Sequence, residues 1–60
     1  MLYRNKKTGN IYRHLAAAID TTNERDGLQV VIYCPDDNEH TIYVLESEEF
    51  YRKFEEIGLW

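Results

Sequence analysis

Apolar and polar residues alternate along most of this chain, which is the pattern of β-strands that each turn one face toward a core. A short tyrosine-bearing segment runs from Leu2 to about Lys6, and a longer one runs from Ile11 to Ile19. Between them, Thr8-Gly9-Asn10 supplies a turn in which the glycine can take the left-handed conformation. The chain is therefore predicted to open with a β-hairpin.

The second segment has mostly apolar or aromatic side chains on both faces. Simple alternation places one set on each side of the strand: Ile11, Arg13, Leu15, Ala17 and Ile19 on one, and Tyr12, His14, Ala16 and Ala18 on the other. We expect each face to be partly covered. The alanine-rich run 15–19 also has high helix propensity, so a strand and a helical turn or two are both open there.

The clearest strand signal is Leu28–Cys34, which is rich in β-branched residues and stops at Pro35. A polar loop over residues 20–27, ending in the turn signal Asp-Gly, precedes it. After a second polar loop over residues 36–40, the segment Thr41–Leu45 predicts a further strand. These two strands are predicted to form an antiparallel hairpin.

The last predicted element is a helix over residues 46–57, with Ser47 as N-cap and Gly58 as the residue that stops it. Phe50, Phe54 and Ile57 share one stripe of this helix, which should pack on the sheet. The prediction is one α+β domain over residues 1–60. It consists of a small antiparallel β-sheet or partly closed barrel of about four strands, packed by one C-terminal helix.

The small size of the chain favours self-association. A domain of 60 residues buries only about 60% of its unfolded surface and is usually stabilised by disulfides, a metal or a partner. Cys34 is the only cysteine, and zinc-ligand spacing is absent from the sequence. We therefore expect a homodimer, with exposed sheet edges or Leu59-Trp60 as its contact, and with no cofactor and no metal. Without an apolar run of about 20 residues or a secretory signal, the sequence predicts a cytoplasmic protein that does not contact membranes.

Charge is distributed unevenly around a net charge of −4. Residues 1–14 carry four cations and no acid, whereas residues 36–60 carry eight acids and two cations. Such an arrangement is typical of a solvated surface with some internal pairing. It is also what a bipolar surface that steers a partner would need.

Several short motifs resemble a family of small bacterial and phage proteins catalogued as domain of unknown function 1653. They are Tyr3-Arg4 with Lys7, Gly9-Asn10 and Tyr12, then Ala18 to Thr22, Val30-Val31-Ile32-Tyr33, and Tyr43-Val44 followed by Phe50. The resemblance covers roughly residues 2–54, although Leu45-Glu46 stand where the family usually has Arg-Pro. It implies a small β-rich fold and a phage or prophage origin, and it implies no particular activity, because none is assigned to the family.

The residues give little support to catalysis. Cys34, His14, His40 and Asp20 are the only ingredients for a nucleophilic site, and a cysteine at a strand end is usually a small buried hydrophobe. The acidic loop over residues 36–40 lacks the spacing of a calcium loop and is interpreted as solvated. No catalytic, cofactor-binding or metal-binding residue is predicted, and the chain is predicted not to be an enzyme.

The leading hypothesis is an interaction module, encoded by a phage or prophage, that binds and modulates a host protein. Its predicted partner-binding residues are those of an acidic helix face: Glu48, Glu49, Arg52, Glu55 and Glu56. The alternative is a nucleic-acid-binding module, because the hairpin interleaves aromatic and cationic side chains. The residues of that alternative are Tyr3, Arg4, Lys6, Lys7, Tyr12 and Arg13.

Overall fold

Residues 1–58 are described by a computed structural model, in which one antiparallel sheet of five strands carries a single helix on one face. The elements are β1 (Leu2–Asn5), β2 (Ile11–Asp20), β3 (Leu28–Pro35), β4 (Tyr43–Glu46), α1 (Ser47–Lys53) and β5 (Phe54–Gly58). The strand order is β4-β3-β2-β1-β5, so β4 and β5 are the edges and the sheet does not close into a barrel. The α+β class and the small antiparallel sheet are confirmed, with five strands instead of about four.

The opening hairpin forms as predicted, with Tyr3 of β1 opposite Tyr12 of β2. Its turn is organised by Asn5, whose side-chain oxygen accepts hydrogen bonds from the backbone N–H groups of Lys7 and Thr8 at 2.8 and 3.0 Å. Gly9 has a φ of 80°, the left-handed conformation that its position in the turn requires. Asparagine and glycine therefore determine this turn locally.

The segment 15–19 is a strand, but a β-bulge changes which side chains share a face. His14 lies opposite Tyr33 and Ala16 lies opposite Ile32, so Leu15 is an extra residue on β2. An extra residue shifts the alternation of a strand by one position. The predicted grouping of Ala17 with Ile11 is therefore wrong, because Ala17 pairs with Val31 on the helix-bearing face of the sheet.

The helix is shorter than predicted, and this corrects the predicted helix over residues 46–57. It begins after Glu46, whose carboxylate oxygens accept from the N–H groups of Glu48 and Glu49 at 3.2 and 3.1 Å. Glu46, and not Ser47, is thus the N-cap. The chain becomes extended at Phe54 (φ −122°, ψ 152°) and continues as a strand. Among residues 1–58, no helix is long and apolar enough to cross a membrane.

Pairing with β1 explains why the helix ends there. β1 would otherwise expose its outer edge, and the segment from Phe54 onward pairs with it, placing Phe54 opposite Asn5. The backbone N–H of Lys6 also donates to the carbonyl of Lys53 at 3.0 Å. The helical stripe in the sequence is therefore overridden by a tertiary pairing, and Gly58 ends a strand instead of a helix.

Phe50 is at the centre of the core. Its ring is fully buried and stacks on Phe54 with the ring centroids 4.6 Å apart. Tyr3 and Tyr33 contact the same ring at centroid distances of 5.1 and 5.2 Å. Val31 of β3 completes this core beneath the helix. The core is thus mainly aromatic and lies between α1 and one face of the sheet.

Candidate functional site

The five residues predicted as an acidic helix face do not form one surface. Glu48, Glu49 and Arg52 lie on α1, whereas Glu55 and Glu56 lie on β5. Glu49 forms ion pairs with Arg52 at 2.7 Å and with Lys53 at 3.5 Å. Of the four glutamates in this set, Glu49 is therefore compensated by cations of the same helix.

The predicted basic hairpin is also divided, because its two arginines pair with acidic residues. The Nε atom of Arg4 donates to Glu55 at 2.9 Å, and that of Arg13 donates to Asp36 at 3.1 Å. The hydrogen bond that Arg13 donates to the carboxylate of Asp36 is the main reason that the pKa of Arg13 is raised above its ordinary value. Exposed ion pairs add little stability, but they reduce the positive potential of the hairpin.

The two hairpin tyrosines are directed into the core. Tyr3 is buried beneath α1, and the ring of Tyr12 packs edge-on against Tyr33 and Phe54 at centroid distances of 5.6 and 5.2 Å. Base stacking needs an aromatic face that is open to solvent. These tyrosines therefore serve packing in this structure.

A different cationic surface is formed at the hairpin turn. Lys6 and Lys7 are exposed, and they line a shallow pocket with Arg52 and Lys53 at the end of α1. We call these four residues the cationic corner. The sequence does not show this grouping, because 45 positions separate Lys7 from Arg52 and only the pairing of β1 with β5 brings them together.

The candidate nucleophile and histidine are separated by the sheet. Cys34 is fully buried on the face opposite α1, where it pairs with Arg13. His14 lies on the helix-bearing face, and its Nε2 is 3.4 Å from the hydroxyl of Tyr51. Within residues 1–58, no group of three or more His, Cys, Asp or Glu side chains is placed to hold a metal ion. Both residues therefore have the packing environments that the sequence predicts for them.

The face of the sheet opposite α1 carries an apolar surface that no other element within residues 1–58 covers. Strand alternation places on it the residues of what we call the open face: Leu2, Ile11, Val30, Ile32, Cys34 and Val44. Val44 lies opposite Ile32 and is 61% exposed. Leu2, Ile11 and Ile32 are half-buried, whereas Val30 and Cys34 are buried, so the accessible part of the open face is formed by Leu2, Ile11, Ile32 and Val44.

Two arginines lie within the open face. Arg13 of β2 pairs with Leu2 and with Cys34, Arg4 of β1 pairs with Ile11, and both arginines form ion pairs, with Asp36 and Glu55 respectively. Protein-binding surfaces combine apolar residues with polar ones, and arginine is enriched in them. A signal for this face is present in the sequence, since both faces of β2 are largely apolar and one helix can cover only one of them.

Burial of the tyrosine hydroxyls predicts a loss of stability at alkaline pH. Burial is the main cause that raises the pKa of both Tyr3 and Tyr33 above the ordinary tyrosine value. A group whose pKa is higher in the folded state than in the unfolded state stabilises the fold at pH values below its pKa in the unfolded state. This stabilisation is lost as the pH rises through the pKa that the group has in the folded state. Unfolding by urea should therefore become easier above about pH 10.

The variant Tyr33→Phe tests this expectation, because it removes one of the two hydroxyls and keeps the ring. Its urea midpoint should fall less with pH than that of the wild-type chain when both are measured by circular dichroism. Equal alkaline losses in the two proteins would show that burial of Tyr33 does not contribute.

Comparison with known proteins gives no match to a family model, to a curated protein or to a solved structure. The resemblance to domain of unknown function 1653 therefore stays a prediction. The geometry of the open face, the sheet edges and the cationic corner must carry the functional argument.

Proposed function

We propose that this chain is a non-enzymatic interaction module that binds another protein through its open face. The observation that carries the proposal is the apolar group Leu2, Ile11, Ile32 and Val44 on a sheet face that α1 leaves uncovered. Burial of such a surface is the main source of affinity in protein association. The sequence resemblance extends the proposal to a phage or prophage protein that modulates a bacterial host protein in the cytoplasm.

The charge of the chain favours a basic partner. With a net charge of −4, the molecule should attract a protein whose apolar contact patch has lysine or arginine around it. Arg4 and Arg13 are neutralised by their own ion pairs, so these arginines of the open face do not oppose that attraction. Added salt should therefore slow association more than it speeds dissociation.

Capture from a bacterial lysate on the immobilised chain tests this function, with half of the lysate treated with nuclease. The proposal predicts a protein that is retained equally with and without nuclease, because the contact is between proteins. Retention that disappears after nuclease treatment would contradict it and would move the function to nucleic acid.

We also propose self-association. Among residues 1–58, the buried hydrophobic residues are Tyr3, Val30, Val31, Cys34, Phe50 and Phe54. A core of this size leaves a domain marginally stable, and a second copy would add buried area. Leu59-Trp60, which the sequence offers as one contact for a dimer, lie outside the described residues.

Nucleic-acid binding remains the second candidate, and the cationic corner favours it. Lys6 and Lys7 have no acidic neighbour among the ion pairs of residues 1–58, and Arg52 and Lys53 lie next to them. Four cations at one place make a small phosphate-binding footprint. Of the residues predicted for nucleic-acid binding, only Lys6 and Lys7 belong to the cationic corner. The other two cations of the corner, Arg52 and Lys53, come from the end of α1.

The variant Lys7→Glu distinguishes this candidate from non-specific attraction. If the corner binds phosphates, oligonucleotide affinity should fall and the slope of log affinity against log salt should decrease by about one. Arg25→Glu, in the loop between β2 and β3, makes the same charge change away from the corner and serves as the control. Equal losses in the two variants, measured by fluorescence anisotropy, would reject a site at the corner.

A further inference from the structure

The C-terminal half of β2 has a neighbouring strand on one side only. β1 pairs with β2 over residues 11–13, and the N–H of His14 donates to the carbonyl of Met1 at 2.9 Å. From Leu15 onward, the pairing of β2 is with β3 alone. The other edge of residues 15–19 has no strand beside it within residues 1–58. This segment is the free edge of β2.

Backbone hydrogen-bonding groups point out of the free edge. The carbonyl of Asp20 accepts from Gly27 at 2.9 Å and therefore faces β3. In an antiparallel ladder, successive residues direct their N–H and C=O groups to opposite sides. Ala18 thus faces β3, whereas Ala17 and Ile19 direct their donors and acceptors outward. A strand placed alongside would find these groups in the positions that a sheet ladder requires.

The free edge differs from the other edges of the sheet because its residues 15–19 carry no charge. β5 carries Glu55 and Glu56, and β4 ends in Glu46. Charged side chains are one of the means by which proteins prevent edge-to-edge pairing. Residues 15–19 read Leu-Ala-Ala-Ala-Ile and lack this protection.

An exposed apolar groove lies directly beside the free edge. It is lined by Ala17 and Ile19 of β2 and by Ser47 and Tyr51 of α1, and its volume is about 310 Å³. Ile19 is 55% exposed and Tyr51 is 49% exposed. An added strand would bury side chains in this groove at the same time as it completed the backbone ladder.

We propose that the free edge of β2 pairs antiparallel with the free edge of a second copy, joining two sheets into one around a two-fold axis. This inference rests on the self-association proposed above and assigns it a surface. Two conditions restrict the register of this pairing. Only residues 15–20 of each copy are available for it, and the residues whose backbone groups point outward, Ala17 and Ile19, must lie opposite one another. Both conditions are satisfied when Ala17 lies opposite Ile19 of the second copy and Ala18 lies opposite Ala18.

The residues of the free edge are complementary to themselves in this register. Small alanines meet isoleucine or alanine, and Asp20 lies opposite Ala16 of the second copy, so no like charges are brought together. A two-fold axis makes every contact occur twice, which doubles the hydrogen bonds of Ala17 and Ile19 and the burial of Tyr51. Because both copies carry a net charge of −4, added salt should strengthen this dimer.

Ala17→Pro is the variant that tests the register. Proline removes the outward N–H of residue 17, and the ladder with β3 keeps all its donors. Proline is tolerated in such positions on edge strands. Since two donors are lost per dimer, dimerisation should weaken at least about 30-fold. A second variant, Ile19→Lys, keeps the backbone and places two like charges at the contact. Ile42→Lys, at an exposed position before β4, is the matched charge control.

Sedimentation equilibrium of the full chain gives the dissociation constants, with circular dichroism to confirm that each variant folds. The inference predicts a wild-type dimer, a dimer for Ile42→Lys and monomers for both β2 variants. A monomeric wild-type chain would overturn self-association together with this surface. A dimer that persists in a folded Ala17→Pro or Ile19→Lys variant would overturn the surface alone.

Hydrogen exchange on the wild-type chain keeps the test independent of how well the variants fold. The amides of Ala17 and Ile19 should exchange more slowly at high than at low protein concentration, because only the dimer protects them. Exchange at these two amides that does not depend on concentration, in a chain that dimerises, would overturn the proposed edge.

Discussion

Replacing Phe50 with alanine should unfold this protein or leave it barely folded. Phe50 is fully buried, stacks on Phe54 and contacts the rings of Tyr3 and Tyr33. Removal of a buried phenylalanine costs about 3–5 kcal/mol through lost transfer energy and the remaining cavity. At about 0.05–0.15 kcal/mol per residue, that loss is comparable to the whole stability of so small a domain. Urea unfolding followed by circular dichroism measures it.

The neighbouring position supplies the control for this effect. Tyr51→Ala removes an aromatic ring from the same helix, but Tyr51 is 49% exposed and should lose less than half as much stability. If the two variants lost equal stability, packing of α1 against the sheet could not depend on Phe50 in the way described.

Replacing Val44 with aspartate should abolish binding of the partner protein while the fold is kept. Val44 lies on the edge strand β4, opposite Ile32, and at 61% exposure it is the most exposed residue of the open face. A carboxylate buried without a partner in an apolar contact costs far more than the valine contributed. Loss of a main contact residue of an interface costs about 2 kcal/mol or more, so affinity should fall at least about 30-fold. Calorimetric titration with the captured protein measures this change.

Tyr43→Asp makes the same type of change at the neighbouring position of β4, where Tyr43 lies opposite Tyr33 on the helix-bearing face and is 43% exposed. It should bind the partner with nearly wild-type affinity. Equal weakening by both variants would mean that added negative charge, and not loss of the open face, reduces binding.

The parts of the fold that the sequence predicts well are determined locally. The turn around Gly9 and the β-branched strand 28–34 are specified by residues that are adjacent in the chain, and both are confirmed. Residues adjacent in the chain do not determine the conformation of residues 15–19, because the alanines of this segment permit a helix as well as a strand. Pairing with β3 decides in favour of the strand.

The elements that the sequence predicts wrongly depend on distant partners. Phe50, Phe54 and Ile57 have helical spacing, yet the chain leaves the helix at Phe54 because β1 offers an unpaired edge. The bulge at Leu15 likewise follows from the register between β2 and β3, and composition gives no sign of it. Local propensity is a weak prior whenever such a pairing satisfies several backbone groups at once.

The candidate sites show the same division between local and distant information. The uneven charge along the chain predicted some internal pairing, which the Arg4–Glu55 and Arg13–Asp36 pairs provide. Which acid would meet which arginine depends on strand order and could not be read from the sequence. The open face follows from apolar alternation once it is known that α1 is the only helix within residues 1–58.

The most direct test of the account is to map the contact of the captured partner on this chain. Amide and methyl shifts of the isotope-labelled chain should be recorded by nuclear magnetic resonance before and after the unlabelled partner is added. The account predicts that the largest changes occur at open-face residues, above all Ile32 and Val44. Changes confined to α1 and the cationic corner, with the open face unaffected, would contradict it.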